Sequence, residues 1–175
     1  MNKQIILDNL RCIPDFPKKG INFSDVTTLY KNAECMKAMT DDLYELYKDK
    51  GITKIVGIES RGFVMAAALA VRLGAGVVLA RKPGKLPATV IKESFSKEYG
   101  VDTVEMHIDA INENDVVLIH DDLLATGGTA MATYKLVQHF HPKKTYINFI
   151  IEITDEGLHG RDIFKGIDLT TLVTI

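Results

Sequence analysis

The stretch Val116-Val-Leu-Ile-His-Asp-Asp-Leu-Leu-Ala-Thr-Gly-Gly-Thr129 joins an aliphatic run to two acids and a glycine-containing loop. Residues 116–119 are β-branched or aliphatic without polar alternation, the pattern of a strand covered on both faces of a parallel sheet. Asp121 and Asp122 then fall at the carboxyl end of that strand, the side on which open α/β sheets bind ligands. Ala125, Thr126, Gly127, Gly128 and Thr129 follow directly, and a helical pattern resumes at Ala130 and runs to about Phe140. Small side chains let the backbone approach an anion, and the free N–H groups and dipole of a helix start favour negative charge. A Walker loop needs a lysine after its last glycine, where this chain has Thr129, and the dinucleotide fingerprint needs three glycines at another spacing. What remains is a phosphate cup preceded by two carboxylates. It suits a ligand with phosphate at one end and hydroxyls beside it, such as a ribose 5′-phosphate. A tight turn next to a solvated acid pair is the plainer alternative; the order strand, acids, glycines, helix favours the cup.

The totals bound the rest. A chain of 175 residues is long enough for one well-cored domain and short for two, so 1–175 is read as one. Hydrophobic and charged shares of 46% and 25% are ordinary for a globular protein, and a net charge of −2 gives no reason to expect nucleic acid or an anionic membrane. The first ten residues carry Lys3, Asp8 and a broken apolar run, neither a signal peptide nor a membrane span, so the expected location is cytoplasmic. Cys12 and Cys35 lack metal-ligand spacing, and no protein metal site is expected.

Along the chain, residues 3–10 suit a short amphipathic helix, and 14–23, with two prolines, a glycine and two phenylalanines, suit an ordered irregular segment. Asn32 caps an expected helix to about Lys50. Residues 54–58 read as a strand, 59–62 as a turn at its carboxyl end, and 63–73 as a helix so apolar that burial is expected. In that turn Ser60, Arg61 and Gly62 offer backbone N–H groups and a guanidinium to an anion. A strand at 76–80 leads into the basic loop 81–87, a second anion site by charge through Arg81, Lys82 and Lys85. Residues 89–95 and 103–108 alternate as half-exposed antiparallel strands do, forming a flap rather than core. A buried strand is expected at 146–153, a polar loop at 154–160 and an edge strand at 168–175. Strands alternating with helices give an α/β fold with a parallel central sheet.

Residues 121–129, D-D-L-L-A-T-G-G-T, resemble the phosphoribosyl-pyrophosphate signature of the type I phosphoribosyltransferases, in the form found among adenine-using members. The segments P-D-F-P-x-x-G-I-x-F at 14–23, S-R-G at 60–62, R-K-P-G-K-L-P at 81–87 and E-Y-G at 98–100 are similar to that family's hood, pyrophosphate-binding turn, basic loop and flexible loop. The similarity spans 14–152 and fades after Thr154, and Ser24 stands where adenine-specific members usually carry a basic residue. The resemblance implies the type I phosphoribosyltransferase fold, a mainly parallel sheet flanked by helices with a flexible hairpin flap and an N-terminal hood. It implies purine salvage: transfer of the 5-phosphoribosyl group from phosphoribosyl pyrophosphate to adenine, giving AMP and pyrophosphate. A phosphoribosyltransferase for another purine, and a non-catalytic regulator of the same fold that senses nucleotide or phosphoribosyl pyrophosphate, are the alternatives. Among catalytic residues it implies Glu98 as acid or base near the purine, Asp121 and Asp122 facing the developing ribose cation, and Arg61 on the leaving group. Substrate contacts are implied for Ser60, Arg61, Arg81, Lys82 and Lys85 at pyrophosphate, for Ala125, Thr126, Gly127, Gly128 and Thr129 at the 5′-phosphate, and for Phe23 at the base. Mg²⁺ is implied on the substrate pyrophosphate, and the expected assembly is a homodimer.

Overall fold

The computed structural model describes residues 2–96, 100–154 and 157–175. In chain order the elements are α1 (Lys3–Asn9), β1 (Arg11–Ile13), β2 (Phe23–Asp25), α2 (Thr27–Tyr30), α3 (Ala33–Tyr47), β3 (Lys54–Ile58), α4 (Gly62–Leu73) and β4 (Gly76–Ala80). They continue with β5 (Val90–Ser96), β6 (Val101–His107), β7 (Val116–Leu124), α5 (Gly128–Gln138), β8 (Lys144–Glu152), a 3₁₀ turn (Gly160–Phe164) and β9 (Leu169–Thr174).

Five strands form one sheet in the order β4-β3-β7-β8-β9, every neighbouring pair parallel. Its aliphatic strands are covered on both faces, as their lack of alternation requires. Leu118 and Ile150 pack with Leu29, Met39, Leu43 and Met65 on the side of α1 to α4. Val117, Ile119 and Phe149 pack with Leu136 and Val137 of α5 on the other. Asn32 caps α3 as expected, its Oδ1 accepting from Glu34 N–H at 2.9 Å and Cys35 N–H at 3.2 Å. β3 and β4 keep the expected bounds.

Three expectations need correction. α4 is not buried all round: Met65, Ala66 and Leu69 face the core while Val71 is 85% exposed. The sheet and α3 cover part of the helix, and Val71 on the remaining side stays open to solvent. The β5–β6 hairpin is not outside the core, since Val104 and Met106 of β6 are buried in the cluster on the α5 side. β5 alternates with one face packed on α5, while in β6 the intervening Glu105 is also buried, bridged to Arg81 and accepting from Gly84 N–H of the basic loop. β7 continues through both acids to Leu124 in register with β8 as far as Glu152, and α5 begins at Gly128, two residues before the pattern suggested.

Candidate active site

The carboxyl ends of β3, β4, β7 and β8 carry the residues of interest, the side of an open parallel sheet where ligands are met. After β7, Thr126 to Thr129 wrap a cavity of about 150 Å³ whose floor includes Asp121 and Phe149. Gly127 sits at φ 77° as the N-cap of α5, so the loop turns into the helix and the first-turn residues, whose N–H groups have no helix partner, line the cup. A side chain at Gly127 is excluded twice. The left-handed backbone disfavours it, and a Cβ would stand 2.8 Å from Phe164 Cε2 and 2.9 Å from Ile163 Cδ1. Phe95, at the end of the flap strand β5, closes on Gly128 from the other side, 3.2 Å from where its Cβ would be.

Asp121 and Asp122 are consecutive strand residues, yet their carboxyls stay close enough to interact with each other and with Arg61. Asp121 reaches the cup, with its Oδ1 accepting the Asp122 N–H at 2.9 Å. Burial, and then the charge of Asp122, push the Asp121 carboxyl well above its usual range. Asp122 is buried on the α3–α4 face, where Arg61 Nε stands 2.5 Å from its Oδ2, an ion pair by distance but out of line for a hydrogen bond. Arg61 also lies over the Phe23 ring at 5.8 Å, and its carbonyl accepts from the Tyr30 hydroxyl at 3.3 Å. Burial and then the Asp122 and Asp121 charges raise the Tyr30 hydroxyl pKa. The Ser60–Arg61 turn, entered through a cis Glu59–Ser60 peptide, can approach β7 this closely because residue 62 is glycine: a Cβ there would be 2.7 Å from His120 O.

A second cavity of about 530 Å³ adjoins the cup and shares Leu123 and Ala125 with it. Phe23, Ser24, Arg61, Ile153 and Leu158 are among its walls, so it is broad and mainly apolar with one guanidinium. The hood strand β2 is fixed by pairing with β1, in which Arg11 opposes Asp25, and the two form an ion pair with Nη2 2.5 Å from Oδ2. Thr27 and then Arg11 hold the Asp25 carboxyl down at about 2. Ser24 is itself buried, and the cation beside Asp25 comes from the neighbouring strand. Phe16 packs edge-on against Phe23 at 5.2 Å.

The basic loop lies beside the Ser60–Arg61 turn but lines neither cavity. Arg81 Nε is 3.2 Å from Glu59 Oε2, Lys82 N–H donates to the same oxygen at 2.8 Å, and Lys82 Nζ pairs with Asp102 of β6. Burial raises the Glu59 carboxyl, but the Lys82 N–H and the Arg81 guanidinium outweigh it and hold it below its usual range. The carbonyl of Lys85 accepts from Arg81 Nη1 at 3.2 Å. An anion at this loop therefore competes with two carboxylates. Glu98 lies outside the described residues. Among the described residues no three His, Cys, Asp or Glu side chains come together in a way that could hold a metal ion.

Two further groups were not legible in the pattern. The buried His120 Nδ1 is 3.0 Å from Asn148 Oδ1, and Asn148 Nδ2 donates to Thr170 Oγ1 at 2.9 Å and Thr170 O at 3.3 Å. A carbonyl only accepts, so the Asn148 amide nitrogen must face Thr170 and its oxygen must face His120; the His120 proton is on Nδ1. Burial lowers the His120 pKa to about 4. The other group is the 3₁₀ turn Gly160–Phe164, which backs the cup: a Cβ at Gly160 would run into Ala125 O, and Phe164 lies against Gly127. Nothing in the polar sequence 154–160 signals that packing beyond Gly160 itself.

A model of the phosphoribosyl transferase domain matches residues 25–157. An adenine phosphoribosyltransferase of Phocaeicola vulgatus is 63% identical over 176 residues, covering 100% of both chains. The crystal structure of adenine phosphoribosyltransferase from Thermoanaerobacter pseudethanolicus superposes with a TM-score of 0.93 at 41% identity, over 99% of this chain and 100% of that one. The enzyme of Giardia lamblia, solved in complex with 9-deazaadenine, gives a TM-score of 0.92 at 39% identity, over 100% of this chain and 98% of that one.

Proposed function

The chain belongs to the phosphoribosyl transferase family, and on that premise we propose that it transfers the 5-phosphoribosyl group of phosphoribosyl pyrophosphate to adenine, releasing AMP and pyrophosphate. The observation that carries this reading is the pair of adjoining cavities. A small cup at a helix start meets a larger apolar cavity walled by Phe23, and Leu123 and Ala125 belong to both. A ligand with a phosphate, a sugar and a flat base fits across them in that order.

In this reading the backbone of Ala125 to Thr129 holds the 5′-phosphate and Phe23 stacks on the purine. Ser60, Arg61, Arg81, Lys82 and Lys85 take the pyrophosphate. As the anomeric bond loosens, positive charge grows on the ribose and negative charge on the leaving group, and fixed charges aimed at each lower the barrier. Asp121 and Asp122 serve the first, and Arg61 with the basic loop the second. Arg61 stands between the Asp122 carboxylate and the base cavity, so it can also orient the substrate. Glu98 is proposed to manage the purine proton. A magnesium ion belongs to the same reading, as the family resemblance implies, and it would be held mainly through oxygens of pyrophosphate. When bound there the ion neutralises charge on the leaving group.

The same proposal makes residues 1–175 one functional domain, in a homodimer, in the cytoplasm. The exposed Val64 and Val71 of α4 and Val77 and Leu79 of β4 support a covered face. Substrates bearing phosphate and pyrophosphate do not cross bilayers unaided, which supports the location. Incubation with phosphoribosyl pyrophosphate, Mg²⁺ and each of adenine, guanine, hypoxanthine and xanthine, following pyrophosphate release, tests the activity. Release with adenine is expected; no release with any base would leave a sensor of the same fold, and preference for an oxo-purine would overturn the adenine assignment. A monomer by light scattering at micromolar protein would overturn the dimer.

A further inference from the structure

We propose that the ion pair between Arg161 and Glu152 is a tether that holds the phosphate cup and the base cavity in register, making Arg161 a positioning residue for the reaction. The proposal rests on the reading of Ala125 to Thr129 as the 5′-phosphate site.

Arg161 is the second residue of the turn Gly160–Phe164, and it reaches back to the last residue of β8. Nε meets Glu152 Oε1 at 2.8 Å and Nη2 meets Oε2 at 2.5 Å, the two-pronged geometry of a guanidinium on a carboxylate. Thr171 of β9 adds a contact to Nη2 at 3.2 Å. The Glu152 side chain is only 8% exposed and Glu152 is paired in register with Leu124, so the anchor is part of the sheet. At the other end of the turn Phe164 is buried against Phe149, ring centroids 6.5 Å apart. Pinned at both ends, the turn presses Gly160 onto the Ala125 carbonyl and places Ile163 and Phe164 over Gly127. Just upstream, Leu158 walls the larger cavity, to which Ala125 also belongs. The turn thus touches the phosphate end, and Leu158, two residues before it, the base end of the site. The residues proposed for pyrophosphate, Arg61 and the basic loop, follow β3 and β4 at the other end of the site, where Arg81 is paired with Glu59 rather than with this turn. Removing the guanidinium leaves a buried carboxylate uncompensated, which drives Glu152 toward water and releases the turn from Ala125.

The test is calorimetric titration of ribose 5-phosphate and of magnesium pyrophosphate, with steady-state kinetics and thermal melting, on the wild type, Arg161→Ala, Arg161→Lys and Gly127→Ala. Arg161→Ala should weaken ribose 5-phosphate and raise the KM for adenine by about tenfold each, the change expected for one lost charge-assisted contact, with pyrophosphate affinity unchanged. Arg161→Lys, which keeps one charged contact, should recover part of both losses even if Arg161→Ala folds poorly. Equal loss of ribose 5-phosphate and pyrophosphate affinity would show a general loss of fold and overturn the tether, as would a lowered melting temperature with ligand affinities intact. Gly127→Ala, whose Cβ would meet Phe164 and Ile163 of the same turn as well as narrow the cup, checks the underlying reading. If it weakens ribose 5-phosphate and Arg161→Ala does not, the tether alone fails; if Gly127→Ala leaves ribose 5-phosphate binding intact, the cup assignment fails and the tether with it.

Discussion

Arg61 Nε lies 2.5 Å from the buried Oδ2 of Asp122, so the guanidinium on the turn after β3 and the second acid of β7 are one electrostatic unit. Neither can be changed alone without cost to the other. Asp122→Asn keeps the shape but removes the charge proposed to face the ribose, and turnover should fall about 100-fold with a smaller change in KM, as for other removed transition-state partners. Steady-state kinetics decide this; full turnover with weakened substrate binding would make Asp122 a hydroxyl anchor. Arg61→Ala strands a buried carboxylate and should cost about 2 kcal/mol of stability in urea unfolding.

Lys82 of the basic loop pairs with Asp102 of the flap, and for the proposed pyrophosphate contact of Lys82 that pair must first open. Asp102→Asn removes the competitor. Pyrophosphate should bind about threefold more tightly, within the range for a partly exposed ion pair, and the gain should fade in high salt. Titration at two ionic strengths measures it, and unchanged affinity would place the leaving group away from Lys82.

Local signals announced some of this architecture and were silent on the rest. β3 and β4 were legible because short aliphatic runs bounded by turn residues have few other readings, and the cup because glycines, acids and a helix start lie adjacent in the chain. The Arg61–Asp122 pair, the His120–Asn148–Thr170 row and the packing of Gly160 on Ala125 join residues far apart in sequence, where periodicity carries no information. α4 misled for the opposite reason. Its apolar letters are real, but a sheet covers only one side of a helix, and sequence cannot say what covers the other. Similarly, the stretch 154–160 reads as a polar loop, yet Leu158 walls the larger cavity and Gly160 abuts Ala125.

His120 makes stability depend on pH in a definite direction. Its folded pKa is about 4, depressed by burial from 6.5, so the folded chain resists a proton that the unfolded chain accepts. The contribution is complete above 6.5, is lost as pH falls from there toward 4, and amounts to about 3 kcal/mol across the window. Asp121, with its pKa raised, acts with opposite sign: its contribution is present below 3.8 and is lost as pH rises through its folded value. Subtracting a His120→Asn variant isolates the histidine, because the asparagine amide can still donate to Asn148. Urea unfolding from pH 4 to 8 should show the wild-type advantage shrinking below 6.5; an advantage that is flat with pH would mean that His120 is not held neutral.

Gly62 separates packing from anion binding. From the sequence its use was a free backbone N–H for pyrophosphate, whereas the structure gives it a steric duty, because a Cβ would meet His120 O at 2.7 Å and Asp121 Oδ1 at 3.0 Å. Gly62→Ala in an unconstrained helix would gain about 0.5–1 kcal/mol from propensity. Overpacking against the backbone of β7 costs about 1–3 kcal/mol, so the net change should be destabilising. The larger effect should be on turnover. Pushing the first turn of α4 off β7 carries Arg61 away from Asp122, and kcat should fall along with the urea midpoint. If the variant kept its stability and lost only pyrophosphate affinity, the glycine would serve the anion after all. If it became more stable and stayed active, the close approach of α4 to β7 would have no part in holding Arg61.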